Sequence, residues 1–136
     1  MRPLYLVDKS ALARTAHTSV SARLGPLLLH GQVVTCPIID LEVLYSARSH
    51  TDYEAILTER EAIPSFPLNE EVTQRAIDVQ HQLARLGHHR LAILDLLIAA
   101  TAEVNDLVVV HYDADFDRIA SVTGQPAEWV APRGSL

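Results

Sequence analysis

The chain has 136 residues, 49% hydrophobic and 21% charged, and this length and composition fit one folded domain spanning 1–136 rather than a disordered chain. Eleven Lys and Arg against 17 Asp and Glu give a formal net charge of −6, which excludes a protein that coats nucleic acid through many phosphate contacts but allows an enzyme with a basic rim around an acidic site. No apolar run nears the roughly 20 residues of a membrane span, and the single cysteine, Cys36, excludes an internal disulfide or a cysteine zinc cage and suits a reducing, cytoplasmic setting.

In chain order, LYLVD (4–8) is a short apolar run ending in an acid and predicts a buried strand; it comes too early and is too short for a signal peptide. KSALART (9–15) can start a helix. Residues 21–31 read as helical, with a kink or restart expected at Gly25-Pro26. QVVTC (32–36) predicts a second strand. Pro37 opens a helix over 37–49, and Thr51 with Glu54 forms a capping-box pattern for a helix over 51–63. The two prolines of 64–68 allow at most an edge strand.

Residues 69–87 predict an amphipathic helix capped by Asn69 and closed by Gly87, with Val72, Ala76, Val79, Leu83 and Leu86 on its apolar face. From about Arg90 to Asn105 runs a helix that is apolar nearly all round, LAILDLLIAATA, with Asp95 as its one carboxylate. DLVVVHY (106–112) is the most marked strand, 113–124 is a short helix rich in acids, and 128–130 can form a last strand. Strands alternating with helices predict an α/β fold, a three-layer α/β/α sandwich with a central, mainly parallel sheet. In such sheets ligands bind beyond the carboxyl ends of the strands.

That rule makes the acids readable. Asp8 falls at the end of the first strand and Asp113 at the end of 106–112, with Asp115 and Asp117 just beyond. Glu42 lies a turn or two into the helix after the second strand, with Asp40 as its competitor, and Asp95 lies near the start of the buried helix. Carboxylates gathered at one edge repel each other and resist ionisation, and a divalent cation removes the conflict. Taken singly, Asp8 and Asp113 also read as helix caps, and Glu42 as solvated. Competing motifs fail on their own residues. The Asp113-x-Asp115-x-Asp117 run lacks the Gly and Glu of a calcium loop, since Arg118 and Gly124 stand there. No dinucleotide or P-loop glycine pattern occurs, and His88-His89 read as surface histidines rather than zinc ligands.

LVDKSAL, the acid in CPIIDLEVLYSAR, DLLIAATA and VVHYDADFDRIA resemble, in order and spacing, the PIN-domain family, and within it the VapC-type toxins of bacterial toxin–antitoxin pairs. The resemblance covers essentially the whole chain. It implies a Mg²⁺- or Mn²⁺-dependent endoribonuclease that cuts structured RNA such as tRNA or rRNA, leaving 5′-phosphate and 3′-hydroxyl ends. It also implies a homodimer, inhibited by a VapB-type antitoxin whose arginine can enter the acidic pocket. The family's acidic quartet falls on Asp8, Glu42, Asp95 and Asp113. Asp8, Asp95 and Asp113 are the first expected metal ligands, Asp115 is the frequent fifth acid, and Ser10 orders the site. Lys9 replaces a common Thr and is expected to point to solvent. Arg14, Arg48, Arg90 and Arg118 are candidates for phosphate contact. With only 5% aromatic residues, base stacking on a platform is not expected, and RNA shape should govern selectivity. The apolar early helices and 51–63 are expected to carry the dimer and antitoxin surfaces. A binding module of the same fold without catalysis, and a metal-dependent DNA nuclease, are the competing readings.

Overall fold

The computed structural model describes residues 2–136; Met1, part of the N-terminal stretch read above, lies outside them. The elements run β1 (Tyr5–Val7), α1 (Lys9–Leu12), α2 (Thr18–Leu29), β2 (Val33–Val34), α3 (Pro37–Tyr45), α4 (His50–Glu61), α5 (Glu70–Arg85), α6 (Ile93–Val104), β3 (Val108–His111), α7 (Asp115–Thr123) and β4 (Ala127–Trp129). The four strands are all parallel in the order β2-β1-β3-β4. The chain leaves β1 toward β2 on one side and later places β3 on the other. The strand order therefore reverses between β1 and β3, which are paired as Val7 with Val110. A crevice opens at such a reversal, beyond the carboxyl ends of the two strands.

Period-two alternation along the strands sorts the core into two layers. Leu6, Val34 and Val109 face a cluster built from α3, α5, α6 and α7, including Ile39, Val72, Leu83, Ile98 and Phe116. Val7, Val33 and Val110 face the other way, onto Ala11 of α1 and Val20, Leu24 and Leu27 of α2. The result is the α/β/α sandwich that the alternation of elements predicts. No described helix is long and apolar enough to cross a membrane.

Several local expectations shift. The strands are shorter than the apolar runs, because Leu107 and Tyr112 lie outside the hydrogen-bonded ladder on either side of β3. The cap of α4 lies two residues before Thr51. The Ser49 hydroxyl accepts from the Asp52 N–H (3.0 Å), and the Asp52 carboxylate accepts from the Arg48 N–H (3.0 Å). Leu86 is 60% exposed, because it lies past the last turn of α5, where Gly87 reverses the chain at φ +76°. Residues 64–68 contribute only a single bridge, Ser65 to Thr35, between Pro64 and Pro67.

α2 runs from Thr18 to Leu29 as one helix with Pro26 inside it, so the helix does not restart at Gly25-Pro26. The proline leaves the Ala22 carbonyl without its helical donor, but Ala22, Gly25 and Pro26 are all exposed, so that carbonyl is open to solvent. Pro26→Ala restores the bond and loses the proline's restriction of the unfolded chain, worth about 0.4–1 kcal/mol. The net expectation is a gain of about 1 kcal/mol, read as a higher urea midpoint at unchanged slope. A lower midpoint would show that the ring itself contributes to α2 packing.

Candidate active site

Asp8 follows β1 directly and is 4% exposed. Its Oδ2 accepts the Ser10 N–H at 3.0 Å, so it caps α1 and still has a free oxygen for the crevice. The Asp8 N–H donates to the Val110 carbonyl (2.9 Å), which ties the end of β1 to β3. The Ser10 hydroxyl accepts the Tyr112 N–H at 2.8 Å and locks the exit of β3 against α1.

After β3 the chain turns on Asp113. Its N–H donates to Nδ1 of His111 (3.2 Å), and its own Oδ1 accepts the Asp115 N–H (3.0 Å). Asp113 thus shapes the entry to α7, where Ala114 and not Asp113 takes the cap position, and belongs to the acidic group as well. His111 is fully buried, and burial pushes its imidazole below the ordinary histidine range. It is neutral, and the Asp113 N–H bond places its proton on Nε2. Nothing in the alternation of VVVHY except its period marks His111 as the internal support of this turn.

Asp95 comes from the first turn of α6, is 9% exposed, and faces these loops across the crevice. One carboxylate oxygen from each of Asp95, Asp113 and Asp115 lies within 4.8 Å of the others. Burial, with Asp8, Asp113, Asp115 and Glu42 adding repulsion in that order, pushes the Asp95 carboxyl up to about 7. Asp8 and Glu42 are thus near enough to act on the charge of Asp95, beside the closer group of Asp95, Asp113 and Asp115. Glu42, on the second turn of α3, has a buried Oε1 with no hydrogen-bond partner. Its carboxyl is raised by burial and then by Asp8, while Lys9 pulls the other way. Lys9 is half-buried beside Glu42, so it does not simply point to solvent.

The competition between Asp40 and Glu42 is decided by partners. Arg60 of α4 donates through Nε to Asp40 Oδ1 (2.8 Å) and through a terminal nitrogen to the Thr35 hydroxyl (2.7 Å); Thr35 in turn donates to Asp40 (2.8 Å). Asp40 is committed to that triad, while Glu42 faces the acids unpaired. The proposed phosphate contacts separate too. Arg14 lies at the edge of the crevice, donating to the Ser10 carbonyl (2.7 Å) with its guanidinium over the Tyr112 ring. Arg48, Arg90 and Arg118 are exposed and, among the described residues, form no ion pair. His88 and His89 are exposed, as expected.

A cluster of hard oxygen donors, one pushed toward neutrality and another buried without a partner, is chemically suited to a divalent cation. Comparison with known proteins places the chain in a family. The PIN domain matches residues 5–122. Ribonuclease VapC18 of Mycobacterium tuberculosis is 43% identical over 136 residues, covering 98% of this chain and 99% of that protein. Ribonuclease VapC51 of the same organism is 42% identical over 135 residues, covering 97% and 96%. DNA-bound VapBC from Salmonella typhimurium has a similar fold, with a TM-score of 0.76 at 20% identity over 96% of this chain and 100% of that one. VapBC2 from Rickettsia felis, bound to a promoter DNA fragment, gives 0.76 at 16% identity over 93% and 98%.

Proposed function

This chain belongs to the PIN-domain family, and from that premise we propose that it is a divalent-metal-dependent endoribonuclease and the toxin of a toxin–antitoxin pair. The observation that carries the reading is the convergence of Asp8, Glu42, Asp95, Asp113 and Asp115, drawn from four separate segments, on the crevice between β1 and β3. The relatives named ribonucleases, at 42–43% identity over nearly the full length, support RNA as the substrate.

Asp8, Asp95, Asp113 and Asp115 would hold Mg²⁺ or Mn²⁺, with the unpartnered Glu42 oxygen beside them. When bound, the ion supplies Lewis-acid activation of water and offsets charge developing on the phosphate oxygens. The protein's own groups do the rest. Ser10 fixes the spacing between Asp8 and the Tyr112–Asp113 turn. His111 holds the Asp113 backbone. Glu42, with its proton affinity raised by burial, is placed to take a proton from the attacking water. Lys9 and Arg14, on either side of Ser10, offer positive charge to the substrate phosphate. None of this needs a side-chain nucleophile.

A VapB-type antitoxin is the proposed partner. The structural neighbours include VapBC complexes, one of them from Mycobacterium tuberculosis and described as belonging to the VapBC family of toxin–antitoxin systems. Leu41, Tyr45 and Leu94, each at least 45% exposed, line a groove together with Lys9 and Glu42. An apolar segment carrying one cation fits that combination of surfaces. These side chains come from α3 and α6, whereas α4, the 51–63 segment, is largely polar on its outer face.

Purified protein, freed of any partner, is expected to cut tRNA or total RNA at discrete positions in Mg²⁺ or Mn²⁺, leaving 5′-phosphate ends. EDTA and Asp113→Asn should each abolish the cuts. RNA left intact by wild type in both metals, with no rise of the melting temperature on adding Mn²⁺, would overturn the reading.

A further inference from the structure

Beside the acids, at the carboxyl ends of β3 and β4, guanidinium groups and aromatic rings alternate. Arg14 lies 4.6 Å over the Tyr112 ring, Tyr112 meets Trp129 edge-on at 5.2 Å, and Arg133 lies 5.6 Å over the Trp129 ring. We propose that this Arg14–Tyr112–Trp129–Arg133 ladder is a subsite for the single-stranded RNA next to the cut phosphate, an inference that rests on the nuclease reading above.

Position is the first argument. Tyr112 immediately precedes Asp113, and its N–H is held by Ser10, whose own N–H binds Asp8. A strand with one phosphate at the acids therefore passes its next about two nucleotides across these rings. Chemistry is the second. Aromatic faces stack on any base, and guanidinium groups contact the phosphates between them. Of five N–H donors, Arg14 spends one on the Ser10 carbonyl.

Charge is the third argument. A third Arg–aromatic contact, Arg23 over Tyr5, has its charge taken by Glu128 at 2.6 Å. Arg14 and Arg133 form no ion pair among the described residues. Asp117 is a carboxylate that touches the ladder. It accepts the Trp129 indole N–H with both oxygens (3.0 and 3.2 Å), which fixes the ring by its edge, and a base reaches the ring face by displacing the exposed Arg133 guanidinium that lies over it. The C-terminal segment closes the arrangement, with the Leu136 N–H donating to the Tyr112 hydroxyl (3.0 Å). In a chain with so few aromatic residues a broad stacking platform is absent, and two adjacent rings beside the acids do that work instead.

Trp129 is the only tryptophan in the chain, so its emission reports on this subsite without a label. Wild type in EDTA, where nothing is cut, is titrated with a short single-stranded RNA and with the same sequence as a duplex. Binding is followed in parallel by anisotropy of the labelled RNA. The single strand should quench the emission, and the duplex should not. Arg133→Gln, at an exposed position that cannot upset the core, should weaken binding about fivefold and flatten the salt dependence of log K by about 0.7. In the metal-loaded enzyme, Trp129→Leu should raise KM about tenfold with kcat little changed. RNA that binds with silent Trp129 emission, equal quenching by the duplex, or an Arg133→Gln protein with wild-type affinity and salt slope would each overturn the subsite. The two readings fail separately: quenching without any cleavage in Mg²⁺ or Mn²⁺ removes the nuclease, and cleavage with a silent Trp129 removes the ladder.

Discussion

Asp95→Asn is expected to abolish RNA cleavage and, at pH 8 in EDTA, to melt at a higher temperature than wild type. Both results come from one cause. Burial and four neighbouring acids raise the Asp95 carboxyl from 3.8 to about 7. Between those values the folded protein holds a proton that the unfolded chain has released, so stability falls as pH rises from about 4 to about 7. Above that range the whole penalty is present. A three-unit shift corresponds to about 4 kcal/mol, and relaxation of the partly exposed neighbouring acids reduces this to about 2 kcal/mol. Asparagine keeps the shape and removes the charge. The variant should therefore be the more stable protein without metal and show a flatter melting profile between pH 5 and 8.

Mn²⁺ should then raise the wild-type melting temperature by more than it raises that of the variant, because only wild type gains a full set of charged ligands. The loss of cleavage should be about a thousandfold or more, the scale of several kcal/mol of charge stabilisation. A variant that melts lower than wild type in EDTA at pH 8 would show that Asp95 is held by a favourable structural pairing. A variant that still cuts would remove it from the site.

The largest loss of stability is expected at Arg60→Met, which leaves Asp40 and Thr35 facing a thioether. Arg60 is 8% exposed and makes both ends of the triad. Removing Arg60 strands the partly exposed Asp40, at about 2 kcal/mol, read as a lower urea midpoint. Arg60→Met combined with Asp40→Leu should recover much of that loss, since no charge is then left uncompensated. The same residues test the division of labour on α3. Asp40→Asn should retain cleavage in its folded fraction, whereas Glu42→Gln should lose it. If Asp40→Asn abolished cleavage in a protein that melts like wild type, the roles of the two acids would be reversed.

Legibility varied with the range of the interaction. The strand and helix runs, the Asn69 cap and the closing Gly87 could be read because each depends on neighbours within a turn or two. For the α4 cap, Thr51 with Glu54 and Ser49 with Asp52 offer competing local signals, and the structure uses Ser49. Choosing between the two requires knowing where α3 ends. Leu86 looked like a core residue because a helical pattern cannot show where its own helix stops. Asp40 and Glu42 differ by two positions, and nothing local separates them.

By itself, the sequence determined the alternation of strands and helices, the placement of Asp8 and Asp113 at strand ends, and the anomaly of a lone carboxylate in an apolar helix. All of these are one-dimensional patterns of polarity and spacing. Only the tertiary structure decided that Arg60, 20 residues away, claims Asp40 and that a buried Glu42 oxygen has no partner. Only it brought Tyr112 and Trp129 edge to face, since they meet through the pairing of β3 with β4. The raised Asp95 carboxyl belongs to the same class, because it sums burial and repulsion from segments that are distant in the chain. Long-range electrostatics and stacking depend on where the sheet closes, and a linear pattern does not carry that information.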